Sequence, residues 1–223
     1  MSVQKHIVIF SHGFGVKKDS RGMFSDIVSS LGDGIECVLF DYNIVDESAN
    51  TITIRPFGEQ KNILENIINE TKTKNPNAVI DIIAHSQGCI ITGLVNPTGI
   101  HKVILLAPPF DLKMQKLIEL FKQRPGTEIN FDGVSKLARN DGTVSIVYKD
   151  FWQEAKNINP VDVYSNLASS NDVTMVNANQ DEILDKNNYV EIKNAEIINI
   201  DGNHNFNGEY RNTLLETIKS LMV

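Results

Sequence analysis

The chain has 223 residues, 41% hydrophobic and 22% charged, the balance of one globular domain large enough to bury a sizeable core. Its formal charge is −7 and no run of Lys or Arg occurs, which excludes nucleic acid as a partner and disfavours anionic membranes. No stretch approaches the roughly 18 apolar residues of a membrane-spanning helix, and the N-terminus runs into a strand-like segment instead of a signal-peptide core, so a soluble cytoplasmic protein is expected.

Val3 to Phe10 reads as a first strand, with His6-Ile7-Val8-Ile9-Phe10 as its buried end, and Ser11-His12-Gly13-Phe14-Gly15 follows as a loop. A helix is expected around Met23 to Leu31, then a strand over 35–40 and a loop carrying Asp41 and Tyr42. From about Pro56 to Lys74, Phe57, Ile63, Leu64, Ile67 and Ile68 recur at helical spacing, with Pro56 suited to the first turn. The apolar run Val79-Ile80-Asp81-Ile82-Ile83 is a strand; Ala84-His85-Ser86-Gln87-Gly88 is a small-residue turn; Gln87 to Val95 is helix-compatible. Cys37 and Cys89 read as small buried hydrophobes and imply no disulfide framework. Another strand spans Val103 to Ala107.

Pro108 to about Asn166 breaks the alternation. Met114 to Lys122 reads as an amphipathic helix, and Asn140-Asp141-Gly142 between Val134–Leu137 and Val144–Tyr148 is a hairpin signal. Phe151-Trp152 and a second helical stretch follow. Strands at 173–177 and 196–200 and an amphipathic helix at roughly 208–222 close the chain. Alternation of this kind implies a parallel sheet covered on both faces.

Three loops after strands carry chemistry-bearing residues. Ser86 sits at the tip of a strand-turn-helix, flanked by the small Ala84 and Gly88, the context a nucleophile elbow needs. A helix-capping role is the competing reading of that serine. Asp181 lies in the loop Ala178 to Leu184, with Glu182 beside it and Asp111, after the preceding strand, as alternative acids. His204 lies on the Gly-containing loop Asp201 to Phe206. Of the other histidines, His12 and His85 flank turns, His6 is within a strand and His101 is on a connector. No acid cluster or i,i+4 partner accompanies His12 or His85, so neither a metal nor another cofactor is expected.

The order Ser86, Asp181, His204 is that of a nucleophile-acid-histidine triad. In these motifs, and over essentially its whole length, the chain resembles the α/β-hydrolases. It is most similar to small bacterial carboxylesterases, including the feruloyl/cinnamoyl-esterase-like group with His-Ser-Gln-Gly elbows. The resemblance implies a single α/β-hydrolase domain over 1–223, with about six mainly parallel strands and helices on both faces. It implies a serine hydrolase of carboxylic esters working through an acyl-enzyme, with a small-molecule ester as its partner. Ser86 would be the nucleophile, His204 the base and Asp181, which fits the family loop better than Glu182, the orienting acid. The N–H groups of Phe14 and Gln87 would form the oxyanion hole. The interval 109–166 would be a cap, with Phe110, Phe131, Tyr148 and Trp152 as candidate pocket residues, suited to short or medium acyl or aryl esters. Ala84 and Cys89 depart from the family's usual glycines. The triad also suits a thioesterase, an amidase or peptidase, or a C–C hydrolase. A non-catalytic binding module on the same fold is the more distant alternative.

Overall fold

The protein, here a computed structural model, is described over residues 4–112, 115–184 and 190–222. The first half runs β1 (His6–Ser11), α1 (Met23–Leu31), β2 (Ile35–Leu39), β3 (Ile44–Asp46), β4 (Thr51–Ile54), α2 (Phe57–Lys74), β5 (Val79–His85) and α3 (Gln87–Val95). The second half runs β6 (Lys102–Leu106), α4 (Gln115–Lys122), β7 (Val134–Ala138), β8 (Val144–Tyr148), α5 (Lys149–Asn157), α6 (Pro160–Ser170), β9 (Val173–Ala178), β10 (Ala195–Ile200) and α7 (Tyr210–Leu221). Val3 and Met114, expected at the starts of the first strand and of α4, lie outside the described residues.

Six strands form one sheet in the order β10-β9-β6-β5-β1-β2, every neighbouring pair parallel. Successive side chains of a strand point to opposite faces, and the core divides accordingly. Ile7 and Ile9 join Ile82, Val103, Leu105 and Met175 under α2, α3 and α6. Val8 and Phe10 join Ile83, Ile104, Leu106 and Val176 under α1 and α7. Because both faces are covered, the inner strands read as unbroken apolar runs, not as alternating ones. Thr174 and Asn177 of β9 and Asp81 of β5 are buried polar exceptions; Asp81, 1% exposed, takes hydrogen bonds from His6 Nε2 (2.6 Å) and His101 Nδ1 (2.9 Å) at the far end of the sheet from Ser86. The chain leaves β1 toward β2, then crosses to β5 and builds outward through β6, β9 and β10. This reversal places a crevice at the carboxyl ends of β1 and β5, where open α/β sheets bind ligands.

A second sheet, β3-β4-β8-β7, was not expected over residues 44–54. The alternating Thr51-Ile52-Thr53-Ile54 runs parallel to β8, and Ile52 and Ile54 are buried in the main core. So short a strand has no strong local signal; its partner lies far along the chain, in the expected hairpin β7–β8. Pro56 is one residue ahead of α2, at its N-cap and not in its first turn. Cys89 is fully buried, whereas Cys37 is half-buried; both are free thiols. Among the described residues no helix is long and apolar enough to cross a membrane.

Candidate active site

Ser86 joins β5 to α3 with φ 53° and ψ −122°, a backbone conformation that costs an ordinary residue about 1–3 kcal/mol. Its surroundings hold it there. The Ser86 N–H donates to the Leu106 carbonyl on β6, and its own carbonyl accepts the Cys89 N–H, both at 2.9 Å. Its side chain makes no capping hydrogen bond to α3. The strain turns the hydroxyl out of the sheet.

Gly88 is a steric requirement. A Cβ there would lie 2.1 Å from the Ser11 carbonyl oxygen and 2.7 Å from that of His12, both backbone atoms that cannot swing away. Gly88→Ala is therefore expected to push α3 from β1 and cost about 1–3 kcal/mol. Displacing Ser86 by an ångström would also lower turnover about 100-fold. A urea midpoint and an ester assay on the variant check both effects. Ala84 carries its methyl into the core without conflict, fully buried.

Ser86, His204 and Asp181 are joined by hydrogen bonds. His204 Nε2 is 2.9 Å from Ser86 Oγ, and His204 Nδ1 is 2.8 Å from Asp181 Oδ2. A carboxylate accepts only, so Nδ1 carries the proton and Nε2 is left to accept the serine O–H. Asp181 Oδ1 in turn accepts the N–H groups of Ile183 and Leu184, both at 2.8 Å. Burial pushes the Asp181 carboxyl up, but the bonds from His204, Leu184 and Ile183 outweigh it and hold the pKa below the ordinary value. Glu182, the neighbouring alternative, accepts the backbone N–H of His204 at 3.0 Å and so steadies the loop, not the ring. Asp111 instead lines the cavity.

The loop after β1 is locked by groups that carry no charge. The Tyr42 N–H donates to His12 Nε2 (2.9 Å), so His12 Nδ1 donates to the Gly13 carbonyl (2.9 Å). Tyr42 Oη donates to Ser11 Oγ (2.7 Å), which donates to the Gly88 carbonyl (2.9 Å). This relay ties the Phe14 loop to the start of α3. The first N–H groups of a helix lack intrahelical acceptors, and Gln87 opens α3 and lines the cavity, its side chain tied to Gln60 (2.8 Å). His85, flanking Ser86, donates from Nε2 to the His204 carbonyl (2.9 Å) and positions that loop.

His12 and His85 also set the pH dependence of stability. Burial lowers both pKa values, that of His85 from 6.5 to about 3. Above pH 6.5 both folded and unfolded chains hold them neutral. Below it the unfolded chain takes up protons that the folded one refuses, so stability falls as pH drops from about 6.5 toward 3. His85 alone is expected to remove about 2 kcal/mol between pH 7 and pH 5. Urea midpoints of wild type and His85→Gln check this: the wild-type midpoint should fall with acid, and the variant's slope should be shallower. Parallel slopes would contradict it.

Ser86 opens on a cavity of about 430 Å³ walled by Phe14, Phe110, Leu112, Leu117, Ile183 and Leu184, among others. Of the aromatic residues expected there, only Phe110 lines it. Trp152 is buried at 6% exposure, edge-to-face with Phe131 and Phe151 at 5.2 Å each; it packs α5. Phe131 and Tyr148 are exposed, at 37% and 49%. The walls the sequence reading missed come from α4 and from the loop beyond Asp181. Leu117 belongs to the apolar stripe of α4, and Ile183 and Leu184 follow the acid directly; spacing from these motifs was the available signal.

The fold and the serine at a strand-helix elbow define an α/β-hydrolase. A profile of the family described as "Alpha/beta hydrolase of unknown function (DUF900)" matches residues 1–131, and the chain belongs to that family. No curated protein matches the sequence. Among solved structures, Est1E from Butyrivibrio proteoclasticus is similar with a TM-score of 0.67 at 17% identity, over 98% of this chain and 87% of that one. Est1E with ferulic acid bound is similar at 0.70 and 17%, over 98% and 88%. The esterase domain of a Rhodothermus marinus protein is similar at 0.67 and 16%, over 99% and 88%. At such identities the likeness is one of fold.

Proposed function

We propose that the chain is a serine hydrolase that cleaves carboxylic esters through an acyl-enzyme. The observation that carries this reading is the unbroken chain Ser86 Oγ, His204, Asp181, with links of 2.9 and 2.8 Å, at the mouth of a cavity. His204 takes the serine proton as Oγ attacks the ester carbonyl. Phe14 and Gln87 both line the cavity, and their N–H groups receive the oxyanion. His204 then protonates the departing alkoxide. Water, activated by the same ring, releases the acid. Asp181 holds the ring in the tautomer this needs.

In this reading residues 1–223 act as one domain, and the interval 109–166 caps the site. The elements α4 to α6 and the hairpin β7–β8 support that assignment: α4 walls the cavity, and β4 anchors the hairpin to the body of the domain. The wall favours short or medium acyl or aryl esters, because about 430 Å³ suits a small ligand. Hydrolysis of p-nitrophenyl esters from acetate to long chain, with methyl ferulate alongside, tests this. Turnover should peak at short or medium acyl length. Turnover of thioesters or amides with none of esters would move the assignment to those bonds.

A further inference from the structure

A second cleft, of about 100 Å³, meets the first at the serine: Phe14, Ser86, Leu117 and Ile183 line both, and His204 lines only the smaller. Three arginines line it. Arg21 comes from the loop before α1, Arg124 from the turn after α4, and Arg139 from the end of β7. Such convergence is unexpected in a chain of net charge −7.

The arginines are poorly neutralised. Among the described residues neither Arg124 nor Arg139 makes an ion pair, and Arg21 reaches only Asp141, at 4.0 Å. Arg139 Nη1 donates to Ser145 Oγ (3.1 Å) and Arg124 Nη1 to the Ala138 carbonyl (3.3 Å). Both guanidiniums lie over Phe121, 4.7 Å (Arg124) and 5.9 Å (Arg139) from its ring centre. Burial, then the charge of Arg21, outweighs the field of the nearby Asp141 carboxylate and lowers the Arg139 pKa to about 10, still charged at neutral pH. The oxyanion loop is shaped around this group. Gly15 adopts φ +61°, and a Cβ there would lie 2.4 Å from Arg139 Nη1. Arg124 and Arg139 are partly buried and Arg21 is exposed; like charges brought together at a partly buried site repel one another, and an anion arriving among them relieves that repulsion.

We propose that this cleft seats a carboxylate carried by the substrate, held by Arg139 and Arg124 with Arg21 at the rim. The proposal rests on the serine-hydrolase reading above and names its substrate class. A guanidinium fork matches a carboxylate in plane and spacing. His204, which must protonate the leaving alkoxide, borders this cleft and not the larger one. The carboxylate is therefore on the alcohol arm of the ester, and the acyl arm enters the larger cavity.

The test compares kcat/KM for 3- and 4-acetoxybenzoate with the neutral 3- and 4-acetoxybenzamides, in wild type, Arg139→Gln, Arg124→Gln and Arg139→Lys. The quantity read is the carboxylate-to-amide ratio, in which leaving-group chemistry and any general loss of enzyme cancel between variants. The ratio for at least one isomer should fall about 10- to 100-fold in Arg139→Gln, the worth of a hydrogen-bonded charge. Arg139→Lys should restore part of it, and added salt should lower the wild-type ratio. Equal ratios in all four proteins would overturn the proposal. Calorimetry of 3- and 4-hydroxybenzoate on Ser86→Ala, with and without Arg139→Gln, reads the anion seat without turnover. Binding lost with the arginine supports the seat; binding absent from Ser86→Ala itself, or indifferent to the arginine, overturns it. No ester turned over by wild type would instead remove the hydrolase reading, leaving calorimetry to decide the seat.

Discussion

Ser86→Ala is expected to abolish ester hydrolysis, lowering kcat by about 10⁴- to 10⁶-fold, while leaving the fold intact. Among the described residues the hydroxyl makes one side-chain hydrogen bond, to His204 Nε2. The elbow's geometry rests on backbone bonds to Leu106 and Cys89 and on the space at Gly88, none of which alanine alters. Alanine at φ 53° bears the same strain as serine. Thermal midpoints of the two proteins should therefore agree closely, so that lost activity reports lost chemistry. Residual rate above the uncatalysed reaction would come from the N–H groups of Phe14 and Gln87. Substantial turnover of esters by the pure variant would remove Ser86 from the mechanism.

Asp181→Asn is expected to cost about 10⁴-fold in kcat, by analogy with serine hydrolases in general. The asparagine oxygen can still accept the Ile183 and Leu184 N–H groups, so the loop keeps its shape. Its amide would face His204 Nδ1 as a donor. The ring would then carry its proton on Nε2, where it cannot accept from Ser86. Steady-state kinetics on wild type and variant check this. Near-wild-type kcat would transfer the orienting role to Glu182 or Asp111, although Glu182 is engaged with the His204 backbone.

What the sequence could disclose followed from periodicity and steric demand. Unbroken apolar runs such as Ile7 to Phe10 and Val103 to Leu106 are what strands buried on both faces require, and the sheet uses them so. Ser86 between Ala84 and Gly88 showed a tight elbow because a side chain at Gly88 would strike the backbone of Ser11. Ser86, Asp181 and His204 could be placed on loops at one edge of the sheet, but their separations belong to the folded chain. The strand at Thr51–Ile54 escaped notice because it is completed by β8, which no local pattern announces. Trp152 drew attention as an aromatic residue in the cap interval; its neighbours Phe131 and Phe151 make it packing. Arg21, Arg124 and Arg139 have no common spacing, and only the fold gathers them beside Ser86.

Treatment of the native protein with a fluorophosphonate, followed by peptide mapping, addresses the central claim most directly, because the reagent requires an activated serine and not merely a cavity. The expected result is one adduct, on Ser86, formed quickly in wild type and drastically slowed in His204→Ala. No adduct, or labelling of another residue with Ser86 untouched, would contradict the account.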